Sequence, residues 1–453
     1  MSHAIPPISP PPGSAMHRPA SFLFGAATAS YQIEGAARED GRVPSIWDTF
    51  SATHGKTHDG DTGDVACDHY HRYEQDVALL ADLGFDAYRF SIAWPRVMDV
   101  DGKLNPRGVD FYKRLLDQLE KRGIAAWATL YHWDLPQHLQ DRGGWLNRDT
   151  AYRFADYAEQ MSRAFKGRIA GWMTLNEPFC SAYIGHTEGR HAPGLADARY
   201  GVEAMHHLLL GHGLGTVALR AHDDAPVGLV ANVVQVTPAS DSAADRTATE
   251  RAFASSNVWP LDPLFLGRYP AELRDLWPEA QAPVREGDMA IIAVPTDFVG
   301  INYYFRQVIA SDGAHGFVVK PLPDVERTQM GWEVYPDGLR DLLVTFKQRY
   351  PNLPPVYITE NGMASADAVD GGRVRDDQRA RYFNTHLAAI DQAMRQGVDV
   401  RGYFAWSLMD NFEWSYGYEK RFGLVHVDYG TQVRTPKDSA LAFKQFLNDR
   451  AGK

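Results

Sequence analysis

Eight short runs rich in apolar, β-branched and aromatic residues recur along the chain, and longer amphipathic stretches separate them. The runs are SFLFGAATAS (21–30), DAYRFSI (86–92), IAAWATLYH (124–132), AGWMTLN (170–176), VGLVANV (227–233), DFVGINYY (297–304), VYITE (356–360) and VRGYFAWSL (400–408). Several are apolar on both faces, the pattern of a parallel sheet covered by helices. Between them, DHYHRYEQDVALLADLG (68–84) carries apolar residues at Val77, Leu79, Leu80 and Leu83 and closes on Gly84. VDFYKRLLDQLEKRG (109–123) and RDDQRARYFNTHLAAIDQAMRQG (375–397) repeat the pattern. Strands alternating with helices predict an α/β chain, a single (β/α)₈ TIM barrel with long βα loops; a doubly wound open sheet is the alternative. The 453 residues fit one such barrel, since no composition break divides them. The barrel is expected to span 19–450. The long segments 234–296 and 305–355 are expected to decorate it, and residues 1–18 read as a disordered, Pro-rich tail.

Barrels of this kind carry their active sites at the C-terminal ends of the strands. Glu177 closes the fourth run in TLNEP, and Glu360 closes the seventh in VYITENG. His132, Asn302, Tyr304 and Trp406 also fall at or near run ends. One carboxylate at a strand end is ordinarily a cap or an ion-pair partner. Two in one pocket push each other to different pKa values, so that one stays ionised and the other protonated. Glycoside hydrolysis needs such a pair across the scissile bond. Aromatic faces for a pyranose ring are at hand in YHWDLP (131–136), AWSLMDNFEWSYGY (405–418) and MGWEVYP (330–336), which hold Trp133, Trp406, Trp414 and Trp332.

Seven motifs in order, FLFGAATASYQIEG, YRFSIAWPR, YHWDLP, TLNEP, INYY, ITENG and AWSLMDNFEWSYGY, give the chain its resemblance to the family 1 glycoside hydrolases, typified by bacterial β-glucosidases. The likeness runs from about Phe22 to Phe446. It implies a retaining exo-β-glycosidase with Glu177 as acid/base and Glu360 as nucleophile. By the same likeness, Asn176 binds the sugar 2-hydroxyl, while Arg89, Asn302 and Tyr304 sit beside the carboxylates and orient them. Gln32, His132, Trp406, Glu413 and Trp414 form the site for the glycosyl ring, and Trp133 and Trp332 wall the leaving-group site. Glu413 implies an unphosphorylated sugar, because a carboxylate there repels a 6-phosphate. A glucoside is the first expectation, with fucosides and galactosides beside it, and transfer to sugars or alcohols can accompany hydrolysis. Retention of both glutamates argues against a glycan-binding protein built on the same scaffold.

Other classes fit poorly. A net charge of −11 with no run of Lys and Arg disfavours nucleic acid as a partner. No stretch reaches the roughly 18 apolar residues of a membrane span, and the N-terminus lacks the h-region of a secretory signal. With only Cys67 and Cys180 a disulfide framework is excluded, and a soluble, cytoplasmic protein is expected. GHGLGT (211–216) follows a helical run, not a strand, and lacks the last glycine of a dinucleotide loop. CDHYH (67–71), His206, His207 and His212 read as helix residues, so no metal is expected, and the mechanism needs no cofactor. Assembly leaves no trace in the sequence.

Overall fold

The computed structural model of the chain describes residues 7–8 and 21–451. Eight parallel strands close on themselves: β1 Leu23–Ala27, β2 Ala87–Ser91, β3 Ala125–Tyr131, β4 Gly171–Asn176, β5 Val227–Pro238, β6 Phe298–Ser311, β7 Val356–Asn361 and β8 Val400–Trp406. Each pairs with the next, and β8 pairs with β1. The sheet is therefore a barrel, and the open alternative is excluded. Helices α1 His69–Asp82, α2 Pro106–Lys121, α3 Asp149–Ala164, α4 Ala198–Arg220, α5 Ala243–Phe253, α6 Pro336–Arg349, α7 Asp377–Arg395 and α8 Asp438–Ala451 follow the strands in turn. Their apolar faces and the outward side chains of the strands make one continuous core.

Inside the barrel, the N-terminal end is stopped by an aromatic floor. Trp127 lies with its ring centroid 4.7 Å from Tyr357, 5.4 Å from Phe298 and 5.7 Å from Phe404. Glycines on neighbouring strands make the room: a Cβ on Gly171 would fall 2.5 Å from the Trp127 ring, and one on Gly228 2.6 Å from Phe298. A filled floor leaves only the C-terminal end open to a ligand.

The expected strands are all present, with shifted ends. The first is shorter than 21–30, because Ser30–Ile33 turns into a helical turn. β5 and β6 run well past 233 and 304, staying paired to Pro238 and Ile309, and Phe317–Lys320 adds an antiparallel third strand. The segments expected only to decorate the barrel thus begin as continuations of its strands and also hold α5 and α6. Val236, Ala248, Ala252 and Ile309 form a small core beneath that extension. Of the tail expected over 1–18, Ile8 is buried against the main core, and residues 1–6 and 9–18 lie outside the described residues. GHGLGT lies inside α4, where a phosphate loop has no place. His69 pairs with Asp76, His71 with Asp68 and His206 with Asp288, each a helix residue with its own partner. No helix among the described residues is long and apolar enough to cross a membrane.

Candidate active site

The strand ladders deliver polar side chains to one level of the rim. Asn302 on β6 stands in register with Glu360 on β7. On β4, Asn176 is level with Val230, and the Glu177 amide donates to the Val230 carbonyl at 2.9 Å. Glu177 then takes a positive φ of 46°, which turns the chain out of the sheet, and Pro178 leads into the helical turns at Cys180–Thr187. Ending the strand this way aims the carboxyl across the barrel mouth.

Arg89 on β2 is the hub of the floor beneath the carboxyls. It is 1% exposed and donates to Glu360 Oε1 at 2.6 Å, to Asn176 Oδ1 at 2.6 Å and to the Thr359 carbonyl at 3.1 Å. Tyr304 donates its hydroxyl to the other oxygen of Glu360 at 2.7 Å. Both oxygens of Glu360 therefore accept strong hydrogen bonds, one of them charge-assisted, which fix the carboxyl in one orientation. Asn302 donates to Glu177 Oε1 at 2.7 Å and to Asn176 Oδ1 at 3.1 Å, while the Thr359 hydroxyl donates to the Asn302 side-chain Oδ1 at 2.6 Å. With its oxygen so engaged, Asn176 presents its amide nitrogen to His132 Nε2 at 3.1 Å. That leaves the proton of the imidazole on Nδ1, which is buried without a protein partner.

The two carboxyls differ in what surrounds them. Burial, and then the charge of Glu360, push Glu177 up to about 7. Burial and Arg89 drive His132 far down, so its imidazole is neutral. Glu413 is pushed up to about 8 by burial first, with Glu360 and Glu177 adding to it. Gln32 reaches it at 3.4 Å while anchored to Asn411 and the Phe412 carbonyl at 2.9 Å each. The Gln32 side-chain oxygen, like His132 Nδ1, is buried with no partner in the protein. Buried polar atoms left open beside a cavity are ready acceptors and donors for ligand hydroxyls.

The cavity above this floor measures about 720 Å³, ample for a ligand of more than one ring. His132, Trp133, Glu177, Tyr304, Trp332, Glu360, Trp406, Glu413 and Trp414 line it. Arg89, Asn176, Asn302 and Gln32 lie directly behind, hydrogen-bonded to that lining. All thirteen residues singled out in the sequence therefore meet in one place. Trp406 lies nearly parallel to His132 at 5.8 Å, and Trp414 packs 4.5 Å from Trp133. Trp133 is pinned by its indole N–H to the Asn176 carbonyl at 2.9 Å. Trp332 stacks on Phe305 at 4.7 Å on the outer wall.

One contact had no sequence signal. The Cys180 thiol donates to Glu177 Oε2 at 3.0 Å. Burial pushes the thiol pKa up, so it stays protonated and remains a donor. A cysteine three residues after a strand-end glutamate reads as core; only the helical turn that starts there brings the two together.

The sequence profile described as "Glycosyl hydrolase family 1" matches residues 15–451. A "Beta-glucosidase" from Agrobacterium sp. is 47% identical over 428 residues, covering 93% of each chain. A "Bifunctional beta-D-glucosidase/beta-D-fucosidase" from Bifidobacterium breve is 46% identical over 96% of this chain and 99% of its own. The solved structure of a family 1 β-glucosidase from Thermotoga maritima superposes with a TM-score of 0.92 at 42% identity, over 95% of this chain and 98% of that one.

Proposed function

The chain belongs to glycosyl hydrolase family 1, and from that premise we propose that it is a retaining exo-β-glucosidase acting on terminal, non-reducing glucosyl residues of neutral oligosaccharides and of aryl and alkyl glucosides. The observation that carries the reading is the unequal surroundings of the carboxyls: Arg89 and Tyr304 donate to both oxygens of Glu360, while Glu177 keeps its proton to about pH 7. The ionised Glu360 attacks the anomeric carbon. The glycosidic C–O bond breaks, and the leaving oxygen takes the Glu177 proton. Esterified Glu360 carries no charge, so Glu177 loses the repulsion that, together with burial, held its proton. It becomes the base that deprotonates an incoming water, whose oxygen displaces Glu360 and restores both groups. An alcohol or sugar in place of water gives glycosyl transfer.

Glu413, which Gln32 reaches at 3.4 Å in the cavity wall, supports a neutral sugar, since a phosphate there meets a carboxyl group. The name of the Bifidobacterium relative supports β-D-fucosides within the range, and β-D-galactosides belong with them. A cytoplasmic location goes with the two unpaired, buried cysteines.

Substituting Glu360→Gly tests the reading. Hydrolysis of 4-nitrophenyl β-D-glucoside should fall roughly 10⁴-fold or more, with the circular dichroism spectrum unchanged. Wild-type turnover in that variant would remove Glu360 from the reaction. Glu177→Ala should cost far more on glucosides with poor leaving groups than on aryl glucosides, which depart with little protonation. Equal losses across leaving groups would deny Glu177 the acid role.

A further inference from the structure

Gln32 stands in the helical turn Ser30–Ile33 that follows β1. The start of a helical turn leaves backbone N–H groups with no partner inside it. Ala29 precedes the turn and has no polar side chain to cap them. The neighbouring strand supplies the cap. The Thr28 N–H donates to the Arg89 carbonyl on β2 at 2.9 Å, and two residues on the Ser30 N–H donates to the Ser91 hydroxyl oxygen at 2.7 Å. The Ser91 hydroxyl donates in turn to the Ser30 hydroxyl at 2.9 Å, and the Ser30 hydroxyl donates to Asp134 Oδ2 at 3.0 Å. This run of hydrogen bonds begins two residues after Arg89, passes two residues before Gln32 and ends two residues after His132.

Asp134 is a costly group to keep in a core. It is 1% exposed, and burial pushes its pKa up to about 7. Its Oδ1 is buried with no partner in the protein. Were packing its only task, an apolar side chain of the same size would serve with less loss of stability. What the carboxyl does achieve is to clamp the start of the turn. The end of the turn is clamped as well: Glu34 accepts from Arg96 at 2.8 Å and from the Tyr112 hydroxyl at 2.5 Å. Between the two clamps, Gln32 has its amide nitrogen on Asn411 and on the Phe412 carbonyl, and its side-chain oxygen is left open.

We propose that Asp134 is a positioning residue for the glucosyl-ring site: through Ser30 it fixes the turn that aims Gln32 at the sugar, a role that rests on the β-glucosidase reading above. Asp134→Ala cuts the link, whereas Asp134→Asn keeps an oxygen that accepts from Ser30. With 4-nitrophenyl β-D-glucoside, kcat/KM should fall roughly 10-fold in Asp134→Ala, the weight of one hydrogen bond, and by less than about 3-fold in Asp134→Asn. A residue that acts through Gln32 has nothing left to act on once Gln32 is gone. Adding Asp134→Ala to Gln32→Ala should therefore cost less than about 2-fold more. No loss in Asp134→Ala, a larger further loss in the double variant, or a loss in Asp134→Asn as large as in Asp134→Ala would overturn the inference while leaving the β-glucosidase reading intact. Wild-type inactivity on the aryl glucoside would instead overturn that reading, and the inference with it. If Asp134→Ala does not fold, Ser30→Ala removes the same hydrogen bond from its other end, and its cycle with Gln32→Ala has the same expected and opposing results.

Discussion

At the scale of single residues, the chemistry depends on keeping a proton on Glu177 while Glu360 keeps none. A carboxylic acid serves as general acid only below its pKa, so kcat/KM should fall as pH rises through about 7. Glu177→Gln should abolish that alkaline limb, which a pH profile on an aryl glucoside checks. Three groups pull the Glu177 proton off: the Cys180 thiol and the Asn302 amide donate to the carboxylate, and the charge of Arg89 adds to them. Cys180→Ala removes one donor, so the alkaline limb should move to higher pH. A limb that stays put or moves down would show that the thiol does not act on Glu177. Glu177 and Glu360 were legible because each closes an apolar run. Cys180 was not, because a lone cysteine carries no periodic mark and gains meaning only from what the barrel sets beside it.

At the scale of elements, the aromatic floor decides which end of the barrel is open. Gly171 lies under Trp127 with no space for a methyl group. Gly171→Ala should therefore cost about 1–3 kcal/mol by overpacking, read from denaturant unfolding. A neutral result would mean that the floor yields easily. The centres of all eight strands could be read from the sequence because both faces are buried and the runs are nearly unbroken in apolar residues. The outer parts of β5 and β6 could not. Beyond the barrel β5 alternates Val234 and Val236 with Gln235 and Thr237, β6 breaks its apolar run with Arg306 and Gln307, and the ribbon borders the cavity and solvent. Such alternation within Pro-rich surroundings reads as loop.

At the scale of the whole molecule, the last two βα units are tied by a buried ionic network. Lys437, fully buried before α8, contacts Asp410 at 2.7 Å and Asp367 at 2.5 Å; Arg379 joins Asp367 and Asp376, and Arg421 joins Asp410. The network lies under the loop that carries Asn411, Phe412 and Glu413 to the cavity. Removing one partner strands buried carboxylates, so Lys437→Met should destabilise the fold by about 3–5 kcal/mol. Urea unfolding checks this; a loss under ~1 kcal/mol would make the network dispensable. Barrel, floor and network together hold two carboxyls in fixed and unequal surroundings, and the two-step reaction depends on that inequality. The most direct measurement is a proton NMR time course of 4-nitrophenyl β-D-glucoside hydrolysis, followed before mutarotation. β-Glucose appearing first is the predicted result, since two inversions at the anomeric carbon restore its configuration. α-Glucose appearing first would mean a single displacement by water and would contradict the covalent role of Glu360.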